Sequence, residues 1–173
     1  MELLIELLKI SLPAAIVLYG MYLSVKSFLS KDFNSKLLEL KAKNTDVVLP
    51  VRLQAFERMA LYLERITPNN LLLRLNDISY SSGQLHEILL SEIRQEYNYN
   101  LSQQIYMSDK TWSMIREATE QVTATINDAA MEVEKDTPSL NLARKIMERL
   151  IESGQDLTAQ ALIVLKEEVR TYF

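Results

Sequence analysis

The sequence predicts an all-α protein: an N-terminal transmembrane helix that continues into an amphipathic stalk, then a multi-helix bundle. Three observations carry this. Ile10 to Val25 is 16 residues without a charge. The three glycines and four prolines lie nearly all between periodic segments, and strict apolar–polar alternation, the mark of strands, is scarce. Apolar residues recur at three- and four-residue steps through most of the chain beyond that run, as helices require. The implied domains are an anchor over 1–28, a stalk over 29–45 and a bundle over 46–173, the bundle being long enough for one core.

The uncharged run makes about 24 Å of helix, and extension back to Leu7 gives 19 residues and about 28 Å, close to the hydrocarbon thickness of a bilayer. Lys9 is tolerated at its edge because a long stem lets the ammonium reach the headgroups, with Glu6 one turn away to pair with it. Apolar residues cover every face, which favours spanning over lying flat. Pro13 falls near the start, where one lost hydrogen bond is easily absorbed. Glu2 and Glu6 lead the run and no small-x-small site comes after it, unlike a cleaved signal peptide. Lys26, Lys31, Lys36, Lys41 and Lys43 lie after the span and only Lys9 precedes it, so the long segment is expected in the cytoplasm. Ser11 with Ala15 and Gly20 with Ser24 are small-x-x-x-small pairs that permit helix pairing.

Leu29, Phe33, Leu37 and Leu40 keep one face of the stalk apolar until Asn44-Thr45-Asp46, where a break is expected. Pro50 suits a first helical turn, and Leu53, Phe56, Ala60 and Leu63 form a stripe up to Ile66. Thr67-Pro68 predicts a capped start for a short helix carrying Leu71, Leu72, Leu73 and Leu75. Ser81-Ser-Gly-Gln84 has the form of a capping box before a helix through Leu85, Ile88, Leu89, Ile93 and Tyr97. Trp112, Ile115, Thr119, Val122, Ile126, Ala129 and Val133 then keep a heptad seam on a helix that starts near Ser108 and ends before Pro138. The seam needs a partner helix, in the same chain or in a second copy. Two more helices are expected: Ser139 to Ser153, with Leu142, Ala143, Ile146, Met147 and Leu150 inward, and one from Asp156 with Leu157, Ala161, Leu162, Leu165 and Val169 inward. Gly154 stands where a left-handed residue ends the first.

Catalytic signals are few. His86 is the single histidine, so a His-Glu-x-x-His zinc site and paired Glu-x-x-His di-iron motifs are both impossible within one chain. Gly20, Gly83 and Gly154 are isolated, which leaves no glycine-rich phosphate loop. Cysteine is absent, and with it disulfides and thiolate metal sites. Neither a cofactor nor a metal site is expected, and the chain is not expected to be an enzyme. Charge is uneven: nine basic and five acidic residues lie between Lys26 and Leu75, against nine and sixteen from Asn76 to Phe173. Anionic lipid attracts the first part at about 1 kcal/mol per lysine near the surface, and Lys26, Lys31 and Lys36 are the candidate contacts. An acidic bundle without a basic stripe disfavours nucleic acid.

Two stretches are less generic than their surroundings. Leu53 to Leu75 joins a two-sided helix to an apolar capped turn, and Tyr97 to Trp112 sets three tyrosines and a tryptophan among amides; rigid aromatics with polar rims suit recognition. Leu71, Leu72, Tyr97, Tyr99, Tyr106 and Trp112 are the candidate partner-binding residues. With the anchor and the Lys26-Ser-Phe-Leu29 exit, these stretches resemble an uncharacterised bacterial family of short proteins with one N-terminal transmembrane helix and a cytoplasmic helical domain. That resemblance implies the bacterial inner membrane and no particular activity. The expected function is a membrane-anchored, non-enzymatic adaptor, an accessory subunit that docks other inner-membrane proteins, with homodimerisation open. The competing expectation is a tethered enzyme or ligand sensor with its site in the bundle.

Overall fold

A computed structural model describes the backbone of residues 2–172 and the side chains of residues 12, 15–33, 35, 36, 39 and 48–172. Among the described residues the chain is helical without strands: α1 (Glu2–Ile66), α2 (Pro68–Leu75), α3 (Ser82–Asn100), a 3-10 turn (Leu101–Tyr106), α4 (Asp109–Met131), α5 (Ser139–Ser153) and α6 (Leu157–Arg170). It divides into two units, Met1–Leu49 and Pro50–Phe173.

In the first unit Ile16, Val17, Leu18, Tyr19, Met21 and Tyr22 are between 60 and 69 % exposed. At 100° per residue this set covers every side of the helix. Ser24 donates its hydroxyl to the carbonyl of Gly20 at 2.9 Å, so its polar atom is satisfied within the helix. Leu29 and Phe33, half of the expected apolar face of the stalk, are 60 % and 67 % exposed; Leu37 and Leu40, with Lys41 and Lys43, lie outside the described side chains. The break expected at Asn44-Thr45-Asp46 is absent, since residues 44–46 are helical. Asn, Thr and Asp each cost a helix only a few tenths of a kcal/mol to about 0.7 kcal/mol, too little to end it alone. Pro50, expected in a first helical turn, lies instead inside α1, which runs on without interruption to Ile66. Among the described residues no helix is long and apolar enough to cross a membrane; residues 7–11, 13 and 14 of the expected span lie outside the described side chains.

The second unit is built around α4, which packs against α3, α5 and α6. Its seam finds its partners in the same chain: Ile115, Thr119, Val122, Ile126 and Ala129 are buried, and Trp112 is half-buried. The helix stops at Met131, short of Val133. From α1 the buried set is Ala55, Phe56, Met59, Tyr62, Leu63 and Ile66, so the expected stripe through Leu53 and Ala60 is displaced toward Met59 and Tyr62. The Tyr62 hydroxyl donates to Thr119 Oγ1 at 2.7 Å, and Thr119 in turn donates to the Ile115 carbonyl at 2.8 Å. Burial drives the Tyr62 phenol far above its ordinary pKa, which keeps it a neutral donor.

Most helix ends obey the local chemistry, but α2 and α5 both begin without a side-chain cap. Ser81 Oγ accepts from Gln84 N at 3.3 Å while Gln84 Oε1 accepts from Ser81 N at 2.9 Å, which completes the capping box. Ser81→Ala should therefore lower stability by about 1 kcal/mol, whereas Ser81→Asp should keep most of it; thermal melts of the pair would check this. Ser108 and Asp156 cap α4 and α6 through their side chains. Gly154 closes α5 with φ 59°, in the left-handed region. At α2 the expected cap is not formed: Thr67 holds the position ahead of Pro68, but its hydroxyl donates back to the Glu64 carbonyl at 2.9 Å, satisfying an end of α1 instead. In α5 and α6, Leu142, Ala143, Ile146, Ala161 and Leu165 are buried as the period requires.

Candidate functional site

The six candidate contact residues do not form one surface. Leu71 is fully buried and Leu72 is 9 % exposed, and both belong to the hydrophobic core. The physical reason is that an eight-residue helix has one inward side, and these two leucines occupy it while Leu73 is 78 % exposed. Tyr97 stacks on Trp112 with ring centroids 6.0 Å apart and meets Tyr62 at 6.3 Å, so this pair borders the core with its edges half-exposed. Tyr99 is 70 % exposed, its ring beneath the Arg58 guanidinium at 5.3 Å and its hydroxyl accepting from Arg58 Nη2 at 3.2 Å. Tyr106 is half-buried, and its carbonyl accepts from Arg52 Nε and Nη2 at 3.3 and 3.2 Å. Tyr99 is thus the member of the set most available to a partner. Lys26, Lys31 and Lys36 are exposed; Lys36 pairs with Asp32 at 3.0 Å, and the Lys26 ammonium lies 6.0 Å from the Tyr22 ring centroid.

One concave site involves the only histidine. The connection after α4 turns back onto the start of α3, where Gly83 N donates to the Lys135 carbonyl at 2.9 Å and Ser82 N to the Thr137 carbonyl at 2.7 Å. Gly83 permits the approach, because a Cβ there would lie 3.2 Å from Lys135 Cβ. Ser82 Oγ donates to the Pro138 carbonyl at 2.9 Å, Ser139 N to the Tyr80 carbonyl at 3.0 Å and Ser139 Oγ to the Asp77 carbonyl at 2.8 Å. The fixed connection and helices α3, α4 and α5 line a groove of about 520 Å³. Ala130, Met131, Val133 and Leu142 give it apolar lining, and His86, Glu87, Asn127, Glu134 and Lys135 supply polar groups. His86 Nε2 meets Asn127 Oδ1 at 2.8 Å. The sequence offers His86 with Glu87 or another bundle carboxylate only as the competing site in the bundle, because the groove itself depends on where a seven-residue connection lands.

A second polar cluster ties the end of the chain to α4. Glu168 accepts from Ser108 N at 2.8 Å and from Ser108 Oγ at 2.7 Å, and the Tyr172 hydroxyl reaches it at 3.4 Å. Arg52 donates to that same hydroxyl and stacks on the Tyr172 ring at 4.1 Å. Partial burial opposes the Glu168 charge, but hydrogen bonds from Thr111, Ser108 and Tyr172 prevail and hold its pKa below the ordinary 4.5. A lowered folded-state pKa stabilises the fold above the ordinary glutamate range, and the contribution is lost as pH falls through the lowered value. Urea titrations should show Glu168→Gln removing part of the acid sensitivity below about pH 4.5; solvent screening limits the effect to about 0.5 kcal/mol. Among the described residues no three His, Cys, Asp or Glu side chains are grouped to hold a metal ion.

Neither the curated proteins nor the solved structures contain a match to the chain. A family model spans residues 2–172, and the chain belongs to that family, described as Family of unknown function (DUF7935).

Proposed function

We propose that the protein is a membrane-tethered, non-enzymatic interaction module: residues 7–25 cross a bilayer once, and the second unit is presented on the cytoplasmic face, in a bacterium at the inner membrane. The observation that carries the reading is the apolar surface of the first unit, where Ile16 through Leu23 stand exposed on all sides of the helix without a charge. An uncovered cylinder of this kind is costly in water and matched by acyl chains. Ser24 fits the same medium, its hydroxyl satisfied by Gly20. Tyr19 and Tyr22 near Lys26 suit a headgroup boundary, with Lys31 and Lys36 beyond it as contacts for anionic lipid. On the second unit the exposed Tyr99, framed by Arg58, and the half-buried Tyr106 are the surface we assign to a protein partner, another subunit of a membrane complex.

The non-enzymatic part rests on Ser82, whose hydroxyl, in the groove lining beside His86, is taken up by Thr137 and Pro138. Because the chain has no cysteine, single-cysteine labelling tests the topology directly. A cysteine at Glu152, which is exposed, should react with a membrane-impermeant maleimide only after the cells are opened. Labelling of intact cells would reverse the orientation, and recovery of the protein wholly in the soluble fraction would remove the tether. Alanine at both Tyr99 and Tyr106 should release any protein that co-purifies in mild detergent; retention of every such protein would move the docking surface elsewhere.

A further inference from the structure

The groove beside His86 carries an inference separate from the tether. Its volume, about 520 Å³, is in the range that holds small organic molecules. Its rim is fixed before anything binds, because the connection after α4 is held to the first turn of α3 by Gly83, Ser82 and Ser139. Apolar lining from Met131, Val133 and Leu142 meets a polar side. On that side hydrogen-bonding capacity is left over. Asn127 Oδ1 is an acceptor, so the neutral imidazole carries its proton on Nε2 and keeps a lone pair on Nδ1, which has no protein partner among the described residues. The Asn127 amide nitrogen likewise has none. Glu87 and Glu134 line the groove, and neither is in an ion pair among the described residues. Against these two carboxylates Lys135 is the only lysine or arginine in the lining, so the lysine does not balance the acidic charge of the groove.

We propose that this groove binds a small organic cation, a primary amine on an apolar body about the size of one aromatic ring. The body rests on Met131 and Val133. The ammonium takes Glu87 and Glu134 as counter-charges and donates to the free His86 Nδ1, three acceptors for its three N–H groups. Charge complementarity selects this class over a carboxylate, which would face the two glutamates.

The test uses the full chain in mild detergent with ¹³C-methyl methionine and ¹³C-imidazole labels. The single histidine gives one ring signal, and Met131→Leu assigns the Met131 methyl among the seven methionines. The probes are 2-phenylethylamine, 2-phenylethanol and phenylacetate, each titrated into the millimolar range. The amine should shift the Met131 and His86 signals saturably, the alcohol should bind about fivefold more weakly, and phenylacetate should leave both unmoved. Glu87→Gln with Glu134→Gln should weaken the amine by about five- to tenfold without changing the thermal midpoint by more than a degree or two, since both side chains are exposed. The proposal fails if the amine moves neither signal, if all three probes act equally, or if the double variant binds the amine as the parent does. It fails also if the response is confined to Met21 in the apolar helix, which would report partition into detergent. None of these outcomes depends on whether the first unit spans a bilayer.

Discussion

Tyr62→Ala is expected to cost the second unit about 3–5 kcal/mol, and Tyr62→Phe about 1 kcal/mol. The side chain is 1 % exposed and among the largest fully buried ones. Truncation empties a space bounded by Tyr97 and by Thr119, and a helix interface relaxes only partly into such a void. The phenylalanine variant keeps the ring and loses only the hydrogen bond to Thr119, whose own donation to Ile115 persists. Against a total stability of about 5–15 kcal/mol, the alanine variant is brought close to unfolding. Urea denaturation monitored by the single tryptophan, Trp112, which stacks on Tyr97, measures both. Equal losses for the two variants would show that the ring's packing contributes little.

If residues 7–25 span a bilayer as proposed, placing two arginines in that helix, Ile16→Arg with Val17→Arg, is expected to abolish membrane association. A charge at the centre of a spanning helix costs about 2.5–3.5 kcal/mol on insertion scales, so two cost about 5–7 kcal/mol. Both residues are more than 60 % exposed, and neither arginine would disturb packing within the protein. Alkaline carbonate extraction should leave the parent and an Ile16→Leu, Val17→Leu control in the membrane pellet and release the arginine variant. If the arginine variant stayed in the pellet, the tether would have to reside elsewhere. Melting of the second unit should be unchanged in all three, which separates loss of the tether from loss of the fold.

Much of the fold was legible because helix boundaries are set by local chemistry. Ser81 and Gln84 found each other within one turn, Gly154 adopted a left-handed backbone at the end of α5, and the helix from Ser139 to Ser153 has the ends its sequence signals. The heptad seam named the buried side of α4 because burial must repeat with the helical period. Errors arose where a residue has two uses. Asn44-Thr45-Asp46 resembles a break but is tolerated within a helix, and Thr67 turned its hydroxyl backward to Glu64. Tyr62 escaped the apolar stripe because half of its character is polar, and only Thr119, 57 residues away, satisfies its hydroxyl in the core.

The sequence by itself determined the helical class, most helix ends, the uncharged run between Lys9 and Lys26 and the seam of α4, since each depends on neighbours within a few residues. Tertiary structure alone decided that the seam closes within the chain and that Leu71 and Leu72 belong to the core rather than to a docking surface. It also decided that His86, which looked ordinary on its helix, lines a groove with Asn127 and the Lys135 connection. Those outcomes turn on contacts between residues roughly 40 to 60 apart, whose geometry comes from packing rather than from any period in the chain.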